Sequence, residues 1–176
     1  QKVREKVRYE ASRLLRVQAE RELKEGFSFS KDSEYQILFE QEFPYSETAD
    51  QLKVIDEIKK DMESNKPMDR ILCGDVGYGK TEVAFRAIFK AVMDSKQVLY
   101  LCPTTLLCKQ QYEAALSRFK HYPVRFGILN RFTTPKETEV LLEQLSNGEI
   151  DVVFGTHRLF SKDVCPKNLG LLIIDE

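Results

Sequence analysis

"GDVGYGKT", residues 74 to 81, decides how the rest of the chain is read. It satisfies G-x-x-x-x-G-K-[ST] at every fixed position, with Gly74, Gly79, Lys80 and Thr81 in the invariant places and Asp75, Val76, Gly77 and Tyr78 between them. Glycines let the backbone curl so that successive N–H groups and a helix N-terminus point at negative charge, which makes a cradle for a triphosphate. In that role Lys80 reaches the β- and γ-phosphates and the Thr81 hydroxyl ligates Mg²⁺. Such a loop requires a strand before it and a helix after it. The flanking residues predict both: "RILCG" (70–74) reads as a short apolar strand, and Thr81 through Val92 reads as a helix with Ala84, Phe85, Ile88 and Ala91 inward.

Working outward, the chain from Thr48 alternates helices and strands, the pattern of a parallel sheet covered on both faces. Leu52, Ile55, Ile58 and Met62 mark a helix ending before "SNKP". "QVLYLC" (97–102), "VRFGIL" (124–129), "IDVVF" (150–154) and "LLII" (171–174) are predicted strands, and a helix is predicted from Thr105 to Phe119. "TPKETEVLLEQLSNG" carries a full set of helix signals: Thr134 as N-cap, Pro135 at the first position, Glu137 closing a capping box and Gly148 past the end.

Upstream of this region, residues 1–25 predict one helix, because Val3, Val7, Ala11, Leu14, Leu15 and Leu23 recur at three- and four-residue intervals. Its many Lys and Arg side chains alternate with Glu5, Glu10, Glu20 and Glu22, so a solvated face laced by i,i+4 pairs is the expected reading rather than a DNA contact. Residues 27–43 lack a clean period and are taken as an irregular or short helical connector. The organisation expected is therefore a leading helix and connector (1–42) and an α/β unit (43–176).

Composition narrows the class. With 176 residues, 42% hydrophobic and 31% charged at a formal net charge of −1, the chain reads as one soluble globular domain whose basic surface, if any, is local. The N-terminus lacks a signal-peptide core and no apolar run approaches a membrane span, so no membrane partner and a cytoplasmic location are expected. Cys73, Cys102, Cys108 and Cys165 form no C-x-x-C pair and have no histidine at ligand spacing. Cys73 and Cys102, beside apolar runs, are expected to be small buried hydrophobes.

The last six residues, "LLIIDE", acquire meaning from the phosphate loop. An apolar strand ending in adjacent acids is what a phosphate-loop enzyme needs opposite its cradle: Asp175 to hold Mg²⁺ through water and Glu176 to orient and deprotonate the attacking water. Gln51, at the head of the helix before the loop, closes a T-x-x-Q capping box with Thr48 and can also offer its amide to an adenine edge. Phe43 stands equally as a base-stacking or a core ring. "PTTLLCKQQ" (103–111) and "GTHRLFSKDV" (155–164) follow strands and emerge where ligands bind in open α/β folds. Thr104, Thr105 and Thr156 could donate to nucleic-acid phosphates, with Lys109, Arg131, Arg158 and Lys162 adding charge, or Thr105 and Thr156 could simply cap helices.

Taken together these motifs resemble the superfamily 2 helicases. "FPYSETADQ", "PMDRILCGDVGYGKTEVAFRA", "PTTLLCKQQ", "GTHRLFSKDV" and "LGLLIIDE" are similar to the first RecA-like lobe of the bacterial transcription-repair coupling factor family, over essentially the whole chain. The RecG branch-migration helicases share the "GDVG-GKT" and "GTH" skeleton and are the alternative. The resemblance implies a P-loop NTPase fold, with ATP and Mg²⁺ as cofactors and double-stranded DNA as the track. RNA polymerase and excision-repair proteins are implied as partners, engaged through parts outside these residues. It implies Gln51 as adenine reader, Lys80, Asp175 and Glu176 as catalytic, and Thr104, Thr105, Lys109, Arg131, Thr156, His157 and Arg158 on the DNA. In that family a further strand inserts between the phosphate-loop strand and the acidic-pair strand. The expectation is therefore an incomplete sheet, a piece of a longer chain, not competent in ATP hydrolysis alone. A reading of a different class is a partner-binding module whose leading helix docks while the phosphate loop stays idle.

Overall fold

The computed structural model describes residues 2–74 and 79–175. Its elements are α1 (Lys2–Leu23), α2 (Glu34–Gln41), α3 (Ala49–Glu63), α4 (Lys80–Met93), β1 (Gln97–Leu101), α5 (Thr105–Arg118), β2 (Phe126–Leu129), α6 (Pro135–Asn147), β3 (Val152–Gly155), a 3₁₀ turn (His157–Phe160) and β4 (Leu169–Ile174). The strands are rich in Val, Ile, Leu and Phe, residues that suit a sheet packed on both faces. They form one parallel four-stranded sheet in the order β2-β3-β1-β4.

Register sorts the side chains. Val98 pairs with Val152 on one side and Leu171 on the other, so these residues and their second neighbours Tyr100 and Phe154 share one face and one core. Helices α3, α4 and α5 cover that face through Ile58, Met62, Phe85, Ile88, Phe89, Cys108 and Ala115. Leu99, Leu101 and Val153 point the other way and meet Leu141 and Leu145 of α6. Buried Gln97 ties the two ends of this arrangement: its amide donates to the Leu145 and Ile150 carbonyls and accepts from the Asn168 N–H, at 2.8–2.9 Å.

Local signals held where they were complete. Thr134 and Glu137 form the capping box on α6, with Pro135 at its start and Gly148 left-handed at φ 79°. The solvated reading of α1 also stands: none of its residues is buried, and Arg13–Glu10 and Arg16–Glu20 pair along it. Its apolar stripe, from Val3 to Leu23, is exposed, and Arg21 pairs with Asp69. Among the described residues no helix is long and apolar enough to cross a membrane.

Two expectations are corrected. Residues 70–74 form no strand, and Ile71 is 86% exposed. A strand exists only through a neighbour, and among the described residues both sides of β1 are occupied by β3 and β4 while β4 bonds to β1 alone. For the same reason Cys73 is exposed rather than a buried hydrophobe. The connector at 27–43 is, as expected, partly a short helix, α2, and its Phe29 and Phe39 are buried in the core.

That connector is also held by charge. Lys90, buried on α4, reaches Asp32, Glu63 and the Ser30 carbonyl at 2.7–2.8 Å, and Lys59 on α3 bridges Asp32 and Glu40 at 2.6 Å. Glu40 faces Arg86, which binds Glu82 and Glu47, and Glu82 binds Arg118 of α5. Burial alone would raise the Asp32 carboxyl, but hydrogen bonds and charge from Lys59 and Lys90 outweigh it and hold it below 3.8. The Arg86 guanidinium likewise holds Glu47 below 4.5. A carboxyl depressed by folding contributes stability that is fully present above its ordinary value and lost as pH falls through the folded one. The urea midpoint is therefore expected to be flat near neutrality and to fall progressively below about pH 4.5, on urea titrations run between about pH 7 and pH 3. A midpoint unchanged across that range would show that the network contributes nothing.

Candidate nucleotide-binding edge of the sheet

The tight turn between α4 and β1 makes the two run antiparallel. Fourteen residues of helix at ~1.5 Å and five of strand at ~3.3 Å have similar lengths, so the N-terminus of α4 returns to the carboxyl end of β1. Helix α4 packs on β1 and β4, which brings Lys80 and Thr81 to the edge where Asp175 leaves β4. Asp175 is fixed there: its N–H donates to the Leu101 carbonyl at 2.8 Å, and the Tyr100 hydroxyl faces its carboxylate at 3.3 Å. Burial, reinforced by the Asp175 charge, pushes the Tyr100 phenol well above its usual range, so Tyr100 stays a donor.

Gly79 caps α4 in the left-handed region at φ 79°, which favours glycine. A Cβ there would stand 2.7 Å from the Gln51 amide nitrogen, so the cap and the head of α3 are in close contact. Gln51 completes the predicted capping box, accepting from the Thr48 N–H at 2.8 Å. Lys80 donates to the Gly74 carbonyl at 2.6 Å. The Thr81 hydroxyl accepts from the Gln111 amide at 3.4 Å, and the buried Gln111 carbonyl oxygen has no hydrogen-bond partner among the described residues. Asp75, Val76, Gly77, Tyr78 and Glu176 lie outside the described residues.

A hard cation fits this edge. The Thr81 hydroxyl and the Asp175 carboxylate are oxygen donors, the ligand type a hard cation takes, and among the described residues no three His, Cys, Asp or Glu side chains converge as a metal site. Mg²⁺ takes few protein ligands and completes its shell with water and phosphate oxygens.

The loops expected on nucleic acid leave the same edge, after β1, β2 and β3. Gly155 is held between the Leu129 carbonyl and Leu159, where a Cβ would meet atoms at 2.5–2.8 Å, so the "GTH" loop packs against the β2 end. Thr104, not Thr105, caps α5, accepting from the Leu107 N–H, and Thr156 opens the 3₁₀ turn without a side-chain cap. The capping alternative thus fails for Thr105 and Thr156. Thr104, Lys109, Arg131 and His157 are exposed, with Arg131 over the Phe132 ring at 4.9 Å. Arg158 is bound bidentately by Asp163 at 2.6–2.7 Å, so its fork is already engaged. Phe43 stacks on no core ring; it is half-buried between Tyr45 and Arg86.

Sequence reasoning missed Gln111 and Tyr100. The available signal for Gln111 was its place three residues after Cys108 and four before Ala115, on the buried face of α5.

Comparison with known proteins identifies the family. The DEAD/DEAH box helicase family matches residues 48–176. The transcription-repair-coupling factor of Bacillus subtilis is 58% identical over 175 residues, and that of Staphylococcus aureus 53%, each across 99% of this chain. The chain spans about 15% of the length of these relatives. A solved structure of RecG bound to a three-way DNA junction superposes with a TM-score of 0.86 at 40% identity, covering 92% of this chain and 22% of that one. The helix-flanked parallel sheet is thus a fold shared with that structure, and the chain belongs to the DEAD/DEAH box helicase family.

Proposed function

We propose that this chain is the phosphate-loop lobe of an ATP-driven translocase on double-stranded DNA. The parent is a transcription-repair coupling factor that displaces stalled RNA polymerase and promotes nucleotide excision repair. The reading is supported by α4, which begins at Lys80 and packs on β1 and β4, and by Asp175 at the carboxyl end of β4, on the sheet edge that the threonine loops also leave. Bound Mg²⁺ supplies positive charge to the phosphate oxygens. Lys80, which donates to the Gly74 carbonyl, would turn to a phosphate, Thr81 and Asp175 would hold the cation, and Gln51 would offer its amide at the head of α3. Thr104, Thr105, Thr156, His157, Lys109, Arg131 and Arg158 supply the face for the DNA backbone. Hydrolysis waits on a second lobe, since a transition-state arginine is worth ~10³–10⁵ in rate.

Lys80→Ala is expected to weaken binding of a fluorescent ATP analogue by roughly tenfold or more, the worth of a charge-assisted hydrogen bond. Lys80 is exposed, so stability should move by no more than ~0.5 kcal/mol. Equal nucleotide affinity in variant and parent would sink the reading. The likeness to RecG favours a second possibility, a branch-migrating lobe. A parent protein that reverses synthetic forks yet leaves stalled polymerase in place would select it.

A further inference from the structure

Beside Thr81 lies a buried acceptor that no described residue satisfies. Gln111, on α5, turns its amide toward the start of α4, where an N–H donates to the Thr81 hydroxyl oxygen at 3.4 Å. The carbonyl oxygen of that amide is buried and has no hydrogen-bond partner among the described residues. A buried acceptor left unpaired costs free energy, and native proteins keep few of them. An apolar side chain of the same length would fill the space without that cost, so the amide at this position calls for a reason.

The contact sits on a fixed frame. Cys108, one turn before Gln111, and Ala115, one turn after it, are fully buried on the inward face of α5, and the Tyr112 ring meets Phe154 edge-on at 6.1 Å. Two turns along from Gln111, Arg118 reaches back to Glu82 of α4 with both of its donors at 2.8–2.9 Å. Thr81 and Glu82 are neighbours on α4, so the two helices are tied together one residue from the Gln111 contact. The backbone bearing Gln111 is thus held against the backbone bearing Thr81. What stays soft is the last torsion of the amide, which is broad and roughly two-fold.

A hydroxyl has one hydrogen and two lone pairs. One lone pair of the Thr81 oxygen takes the Gln111 N–H. Commitment of this oxygen to a cation makes the hydroxyl a donor, and a half-turn of the Gln111 amide exchanges its N–H for the unpaired carbonyl oxygen without moving the backbone. Resting on the nucleotide-binding reading above, we propose that Gln111 is a positioning residue for the nucleotide's cation, acting through Thr81. Its N–H holds the hydroxyl in place beforehand, and its carbonyl oxygen accepts the hydroxyl hydrogen once the oxygen serves as a ligand. Hydrogen bonds to a metal's ligands orient them, and the loss of one weakens the hold on the metal.

The test compares the affinity of the intact protein for a fluorescent ATP analogue in Mg²⁺ with its affinity in EDTA. Gln111→Met keeps the length of the side chain without its amide, and it is expected to lower the ratio of the two affinities roughly three- to tenfold, the worth of one neutral hydrogen bond. Gln111→Leu, a second apolar replacement, guards against a packing defect peculiar to methionine. In a Thr81→Val background the same substitutions should add nothing, because the hydroxyl through which Gln111 acts is gone. A merely structural loss would lower both affinities together and leave their ratio where it was, which would overturn the proposal, as would an undiminished effect in the Thr81→Val background. Lys80→Ala, run alongside, separates the two levels. Unaltered affinity in that variant removes the nucleotide reading and this role with it, whereas weakened affinity there beside an unchanged ratio for Gln111→Met and Gln111→Leu removes the role of Gln111 alone.

Discussion

Glu82→Ala is expected to lower folding stability by about 3–5 kcal/mol, the cost of removing one partner from a buried ion pair. Glu82 is 7% exposed and accepts from Arg86 at 2.9 Å and from both donors of the Arg118 fork at 2.8–2.9 Å. Its loss strands the guanidinium of Arg86, which is 2% exposed, and half-strands Arg118. Arg86 retains Glu47 and Arg118 retains the Phe39 carbonyl, so the loss belongs at the lower end of that range if those contacts tighten. Glu82→Gln keeps an acceptor oxygen without the charge and should fall between parent and alanine variant. Urea unfolding decides it; a midpoint for Glu82→Ala indistinguishable from the parent would mean that water reaches both arginines.

Phe39→Ala is expected to cost a similar ~3–5 kcal/mol, through lost transfer energy and the cavity left behind. The Phe39 ring is wholly buried, stacked on Phe89 at 4.4 Å, with Phe119 at 4.7 Å and the Arg118 guanidinium over it at 3.8 Å. Tyr35, exposed on the same helix, is the control: Tyr35→Ala should shift stability by no more than ~0.5 kcal/mol. Equal effects of the two substitutions would show that α2 rests on the surface. A chain begun at residue 43 should for the same reason aggregate, because it exposes the faces of Phe89 and Phe119.

How far the residues announced this structure depended on whether the deciding contacts were local. Helix α6 was legible to the residue, since Thr134, Pro135, Glu137 and Gly148 each act on backbone groups within one turn. The four strands were legible because a doubly covered sheet demands unbroken apolar runs. Residues 70–74 satisfied the same pattern and failed, for pairing depends on a neighbour distant in the chain. The polar contacts inside the core were illegible for a different reason. Glu82, Arg86 and Lys90 lie four apart on α4, the spacing of a solvated stripe, yet all three are buried beneath α2, α3 and α5. Of the candidate site, the Gly79-Lys80-Thr81 turn and Asp175 were legible as motifs, whereas Gln111 and Tyr100 touch them only through tertiary packing.

The ion network has a mechanical corollary. Helix α4 shows Lys80 to solvent at its first residue and, two residues on, buries Glu82 in a lattice of cations that extends back to Asp32. Breaking the ion pairs of Asp32 is therefore expected to loosen α4 as well as the segment ahead of α2. The helix that begins at Lys80 is thus joined by side-chain ion pairs to Asp32 in the segment ahead of α2, as well as by the main chain.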